Sequence, residues 1–165
     1  DKAVASVHLC SLREVNPLYA QHDARSSGKR TVDEDLRMVL ELIPEVSKSL
    51  EEMRVKGEIG SSFDAQINLL TNKLERYTVL ASLQADMPEI FKVSQVTVGQ
   101  GKAGAGAAAS NVFPDITIEA GKAQGAKCPR CWNYSTRVGT DAAHPDLCPQ
   151  CLRAIGGKRV EKGNC

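Results

Sequence analysis

Residues 127–151 read "KCPRCWNYSTRVGTDAAHPDLCPQC". This stretch holds four of the six cysteines in the 165-residue chain, as two CxxC pairs. Cys128 and Cys131 form the first pair, Cys148 and Cys151 the second, and sixteen residues lie between them. Zinc takes four soft or borderline ligands in a tetrahedron, and one tight CxxC turn supplies two thiolates at once. The spacing is that of a four-cysteine zinc site. Iron fits the same thiolates. A pair of disulfides belongs to a secreted protein, for which nothing else in the chain speaks. A redox CxxC of the thioredoxin kind needs one motif on a strand-to-helix turn, and here there are two. Four thiolates leave no coordination position for water, so the metal is predicted to be structural rather than catalytic. His144 lies between the pairs and reads as a loop histidine, because the cysteines already complete the shell. Cys10 and Cys165 read as free thiols without a role.

Trp132, the only tryptophan, directly follows the first pair, with Arg130, Asn133, Tyr134 and Arg137 around it. Two readings stand side by side. The ring packs over the metal site, or it offers a stacking surface, flanked by guanidinium groups, for unpaired nucleic-acid bases.

Upstream, the composition is that of a soluble globular chain: 42% hydrophobic, 25% charged and only 4% aromatic, so the core is predicted to be aliphatic. No apolar run is long enough to cross a membrane. The N-terminus has neither an initiator Met nor a signal pattern, and the start on Asp1 suggests a piece of something longer. The net charge of +1 hides a split. Residues 33–64 carry nine acids against four bases, and residues 122–165 eight bases against three acids. Such a split means either two solvated faces or a basic tail that meets a polyanion.

Helix signals begin at Thr31 and Glu34, which have capping-box spacing. An apolar stripe follows at Leu36, Val39, Leu40, Ile43, Val46, Leu50 and Met53. Pro44 should kink or break it, and Gly57 should end it. Gln66–Leu69 alternates like a short strand. Asn72 is placed to cap a helix with Leu74, Tyr77, Leu80 and Ala81 on one face, and Pro88 comes soon after its end. "FKVSQVTVG" and "DITIEAG" read as strands, the latter with Ile116 and Ile118 on one face. The Ala/Gly stretch between them reads as a loop or hairpin excursion. "GKAGAG" lacks the spacing of a phosphate-binding loop. The fold class is therefore α+β: a small mixed helix and strand domain followed by a four-cysteine zinc-finger module.

With these residues assembled, "KCPRCWNY…HPDLCPQC" resembles the C-terminal zinc finger of bacterial-type isoleucyl-tRNA synthetases. "SVHL", "LRMVLELIPEVSKSLEEMRVKGEIGSSFDAQINL" and "IFKVSQVTV" resemble, in order, the segment after the anticodon-binding helical bundle of that family. The Lys-Cys-Pro-Arg-Cys-Trp run and the Ile-Gly-Ser-Ser turn are the most specific parts. "CSLREVNPLY" departs from the Trp-Pro usual after "SVHL", and the Ala/Gly loop and "GGKRVEKGNC" are individual.

The resemblance implies three parts: residues 1–30 as a lead-in from the helical bundle, 31–121 as an α+β junction domain, and 122–165 as a zinc-finger module with a basic tail. It implies one zinc on Cys128, Cys131, Cys148 and Cys151. It also implies a surface for the tRNA of isoleucine at the anticodon end, with Arg130 and Trp132 on the anticodon loop and Arg137 and Lys127 on backbone phosphate. The family joins isoleucine to its tRNA with ATP, on a Rossmann-type domain with HIGH-like and KMSKS-like motifs. Neither motif occurs here, so ATP and Mg2+ belong to a domain this chain lacks, and the chain alone should be inactive. A monomer in the bacterial cytoplasm, or in an organelle, follows from the same resemblance, with no membrane or DNA partner. The knuckle spacing is also similar to that of formamidopyrimidine-type DNA glycosylases, and a zinc ribbon that binds no nucleic acid is the third alternative.

Overall fold

The computed structural model describes residues 32–101 and 107–156. The expected lead-in over 1–30, the Thr31 cap, Cys10, Cys165 and the tail beyond Gly156 lie outside them. The chain divides into two compact units, Asp1–Arg37 and Met38–Cys165. Of the first, only the opening of a helix is among the described residues.

That helix, α1, covers Val32–Glu41, and α2 covers Ile43–Val55. The break expected from Pro44 falls at Leu42, and the proline sits in the first turn of α2, where a missing N–H costs nothing. Helix α2 ends as its sequence predicts. Gly57 takes φ +72°, its N–H bonds to the Arg54 carbonyl, and the Glu58 N–H bonds to the Met53 carbonyl. This paired closure needs a left-handed residue, which glycine supplies without a Cβ clash. The buried stripe differs from the expected one. Val39, Leu42, Val46, Leu50 and Met53 are buried, whereas Leu40 is exposed. The break turns the apolar face toward Leu42.

A turn at Ser62–Asp64 leads into β1, Ala65–Thr71, whose alternate residues Ala65, Ile67, Leu69 and Thr71 are buried. Helix α3, Leu74–Leu83, follows. Asn72 does not cap it. The N-cap is Lys73, whose own N–H is taken by the Thr71 hydroxyl. The face turned inward carries Val79 and Leu80, and Leu74 is exposed. Pro88 begins a further short helix, α4, Met87–Phe91, rather than marking the end of helical chain. Strand β2, Gln95–Gln100, runs parallel to β1, and β4, Ile116–Lys122, runs antiparallel to it on the other side. A two-residue strand, β3, Ala108–Ala109, pairs with β4, so the sheet order is β2-β1-β4-β3.

Register sets the core. Ile67 lies opposite Val96, Leu69 opposite Ile118, and Thr71 opposite Ile116. Ile67, Leu69, Val96, Ile116 and Ile118 form one apolar face, which Leu42, Val46, Leu80, Met87 and Phe91 join in a single cluster. The parallel pairing has a further result: it brings the starts of β1 and β2 side by side at one end of the sheet. That end carries the cysteine module.

Candidate metal centre and nucleic-acid surface

After β4 the chain enters a two-stranded ribbon, β5 (Ala126–Lys127) and β6 (Tyr134–Ser135). The first CxxC forms its turn. The Cys128 N–H bonds to the Asn133 carbonyl at 2.9 Å, and the Trp132 N–H bonds to the Cys128 carbonyl at 2.8 Å. The second CxxC opens α5, Pro149–Gly156, where the Leu152 N–H reaches the Cys148 carbonyl. One knuckle therefore comes from a strand turn and the other from a helix start.

The four sulfurs lie within 4.8 Å of one another, and Cys131 and Cys148 are 3.6 Å apart. A tetrahedron with metal–sulfur bonds of about 2.3 Å has edges of roughly 3.8 Å. The cluster therefore has the size of a zinc site, its longer edges needing to close by up to about 1 Å. Cys128, Cys148 and Cys151 are buried, and Cys131 is partly so. The Cys148 N–H points at the Cys128 sulfur at 3.5 Å. Burial opposes ionisation of Cys128, but the backbone N–H groups of Cys131, Cys148 and Arg130 outweigh it and bring its pKa down to about 6. Burial pushes Cys131 up to about 12 and raises Cys148 as well. A cation at the centre would offset that cost for all of them, which is the chemistry of a thiolate metal site. His144 is exposed, and its backbone N–H bonds to Asp141.

The other residues predicted for the site are spread around the first knuckle. Trp132 is 64% exposed and has φ +67°, a left-handed conformation uncommon for a bulky residue. With Lys127 and Pro129 it lines a shallow open concavity of about 540 Å³. Arg130 is exposed, and its interaction with the Cys151 sulfur raises its pKa above the ordinary arginine value. Arg137 is exposed in the following turn, where its N–H bonds to the Ser135 hydroxyl. Lys127 places its ammonium 3.1 Å from Asp64 and 5.5 Å above the Tyr134 ring.

Residues 125–154 match a family model described as "Zinc finger found in FPG and IleRS". An isoleucine–tRNA ligase of Nitratidesulfovibrio vulgaris is 39% identical over 114 residues, 68% of this chain and 12% of that protein. Those of Desulfovibrio desulfuricans (37%, 86% of this chain, 15% of that protein) and Geobacter sulfurreducens (32%, 93% and 16%) match over still more of it. The resemblance to the isoleucine–tRNA ligases is borne out. It extends well beyond the zinc finger into the sheet, and the chain spans 12 to 16% of the length of these relatives.

Sequence reasoning missed the residues that hold the module to the sheet: Asp64, Ser94, Gln95, Gln124 and Gly125. One signal was readable. Ser61 and Asp64 have capping-box spacing, and both capping hydrogen bonds form.

Proposed function

We propose that this chain is the tRNA-binding C-terminal part of an isoleucine–tRNA ligase, acting in the cytoplasm as part of a monomeric enzyme. One structural zinc on Cys128, Cys131, Cys148 and Cys151 folds the module. When bound, the ion supplies a four-thiolate crosslink with no open position for a reacting water. The single observation that carries the reading is Trp132. A large apolar ring stands in solvent, on a left-handed backbone, in a concavity it shares with Lys127 and Pro129. The exposure counts against a packing role and suits a stacking surface for splayed anticodon bases, while the left-handed backbone belongs to the knuckle turn, in which the Trp132 N–H bonds to the Cys128 carbonyl. Arg130 and Trp132 face the anticodon loop and Arg137 a backbone phosphate. Lys127 contributes least, since its ammonium already serves Asp64. Amino-acid activation, with ATP and Mg2+, belongs to the whole ligase, and the chain alone carries out no aminoacylation.

The test is binding to isoleucine tRNA, to a scrambled hairpin and to duplex DNA, at two salt concentrations. The reading expects preference for the tRNA and a loss of roughly 1–3 kcal/mol in Trp132→Ala, with zinc retained. Preference for the duplex would favour a glycosylase-type finger. No binding to any of them would leave a protein-interaction ribbon.

A further inference from the structure

We infer that Asp64 and Ser94 are positioning residues that fix the orientation of Trp132, and so deepen the RNA-binding reading above, on which this role rests. Both sit at the sheet end where β1 and β2 begin together. Asp64 is fully engaged. One carboxylate oxygen accepts from the Ser61 N–H at 2.8 Å and the Gly60 N–H at 3.1 Å; the other accepts from the Lys127 ammonium at 3.1 Å. Its carbonyl accepts the Ala123 N–H at 2.8 Å. The backbone therefore fixes the carboxylate before it meets Lys127, which lowers the ordering cost of that pair.

Ser94 does the same for the opposite strand of the ribbon. Its hydroxyl donates to the Phe63 carbonyl and accepts the Tyr134 N–H at 2.7 Å. With the proton committed to Phe63, the hydroxyl has one orientation. Lys127 and Tyr134 are partners across the ribbon, so the two ties grip both strands at one rung. Trp132 lies in the turn that this rung closes. Gln95 and Gln124 add a reciprocal pair of hydrogen bonds, each 2.9 Å. Gly125 lies against the Ser135 backbone so closely that a Cβ there would come within 2.3 Å of the Ser135 carbonyl oxygen.

The grip is one-sided. Among the described residues, the second knuckle's side-chain tie to the sheet domain is one long contact, Gln150 to Glu89 at 3.4 Å, between exposed groups. The half that carries Trp132 is clamped directly, and the other half is held through the metal site. A clamp serving stability alone has no reason to favour the half bearing the exposed ring. A clamp that presents the ring has that reason, because a preorganised surface avoids the ordering cost of binding.

Trp132 is the only tryptophan, so fluorescence depolarisation of the zinc-loaded 165-residue chain reads its motion without a label. In the wild type the ring should tumble with the whole chain. Ser94→Ala and Asp64→Asn should each add a fast component while zinc stays at one per chain. In Ser94→Ala, which leaves every charge in place, the affinity for isoleucine tRNA should fall by about 3- to 10-fold with an unchanged salt slope; Asp64→Asn also frees Lys127 for phosphate, so it is read by depolarisation alone. Ser94→Thr keeps the hydroxyl and should restore both readouts, which separates positioning from a general loss of structure. Depolarisation unchanged in both variants would overturn the clamp. Faster motion with unaltered tRNA affinity, in a chain where Trp132→Ala does lose affinity, would overturn the positioning role. Should Trp132→Ala bind as well as wild type, the RNA reading and the positioning role fall together, and the depolarisation data still say whether the clamp exists.

Discussion

The sheet domain and the cysteine module solve the same problem by opposite means. Among the described residues the sheet domain buries eighteen apolar side chains in one cluster, enough to hold helices and strands together by exclusion from water. The module's cluster has three buried cysteines, with Cys131, Val138 and Leu147 partly buried against them. So small a cluster cannot offset the conformational entropy of ordering some thirty residues. The module therefore needs a metal from within and ties from without, and those ties are polar and directional where the sheet's contacts are not. Burial makes a scaffold; directional bonds on that scaffold make a surface of fixed orientation.

The comparison breaks most visibly if the metal is removed. Chelation should unfold residues 126–151 and leave the sheet folded, because structural zinc contributes on the order of 10 kcal/mol to a module of this kind. Hydrogen exchange read per residue checks this: protection of β1 and β4 should survive and that of the ribbon should vanish. Loss of both together would mean that the sheet depends on the module. The converse cut is Leu80→Ala. Leu80 is fully buried in the sheet domain's core, and its truncation should cost about 3 kcal/mol by urea unfolding while zinc stoichiometry stays the same.

How much of this was legible depends on the range of the interaction. The four clustered cysteines are two local spacings, and four thiolates have few other uses, so they stand out in the sequence as one candidate metal site. The Pro44 break, the Gly57 stop and the Ile116/Ile118 face are equally local. Asn72 does not cap because the Thr71 hydroxyl holds the Lys73 N–H and the helix starts one residue later, with Lys73 at the N-cap. The short α4 was missed because five residues show no period. The clamp was out of reach for a different reason. Asp64 meets Lys127 across 63 residues and Ser94 meets Tyr134 across 40, and only strand register brings them together. A lone hydroxyl such as that of Ser94 leaves no periodic trace. The orientation of Trp132, which decides between packing and stacking, rests on that same register.

Two smaller substitutions sharpen the contrast at its seam and within the sheet. Gly125→Ala puts a Cβ at φ +89° against the Ser135 backbone and should destabilise the module by about 2 kcal/mol, seen as earlier release of zinc on heating. In the sheet domain, Asp115 lies 3.2 Å from Arg76 and 3.5 Å from Lys73. Burial works against its charge, but the Arg76 hydrogen bond and the two cations outweigh it and hold its pKa below the ordinary 3.8. A depressed carboxylate stabilises the fold above its unfolded value and loses that contribution as pH falls through its folded value. Asp115→Asn should therefore cost between about 1 and 2 kcal/mol at neutral pH, and the gap from wild type should close below pH 3.8. Acid releases zinc from both proteins, so the difference between the two unfolding curves is the quantity to measure.

The smallest expected change in stability lies at Trp132 and has the opposite sign. A left-handed backbone costs a residue with a side chain roughly 1 kcal/mol, and glycine bears no such cost. The ring is 64% exposed, so its removal forfeits little burial. Trp132→Gly should therefore raise the midpoint of zinc-loaded unfolding by a few degrees while weakening tRNA binding. Stability and binding would then move in opposite directions at one residue, as expected where strain is kept for a surface. Were Trp132→Gly to destabilise the module instead, the ring would be packing on the metal site, and the stacking reading would lose the observation that carries it.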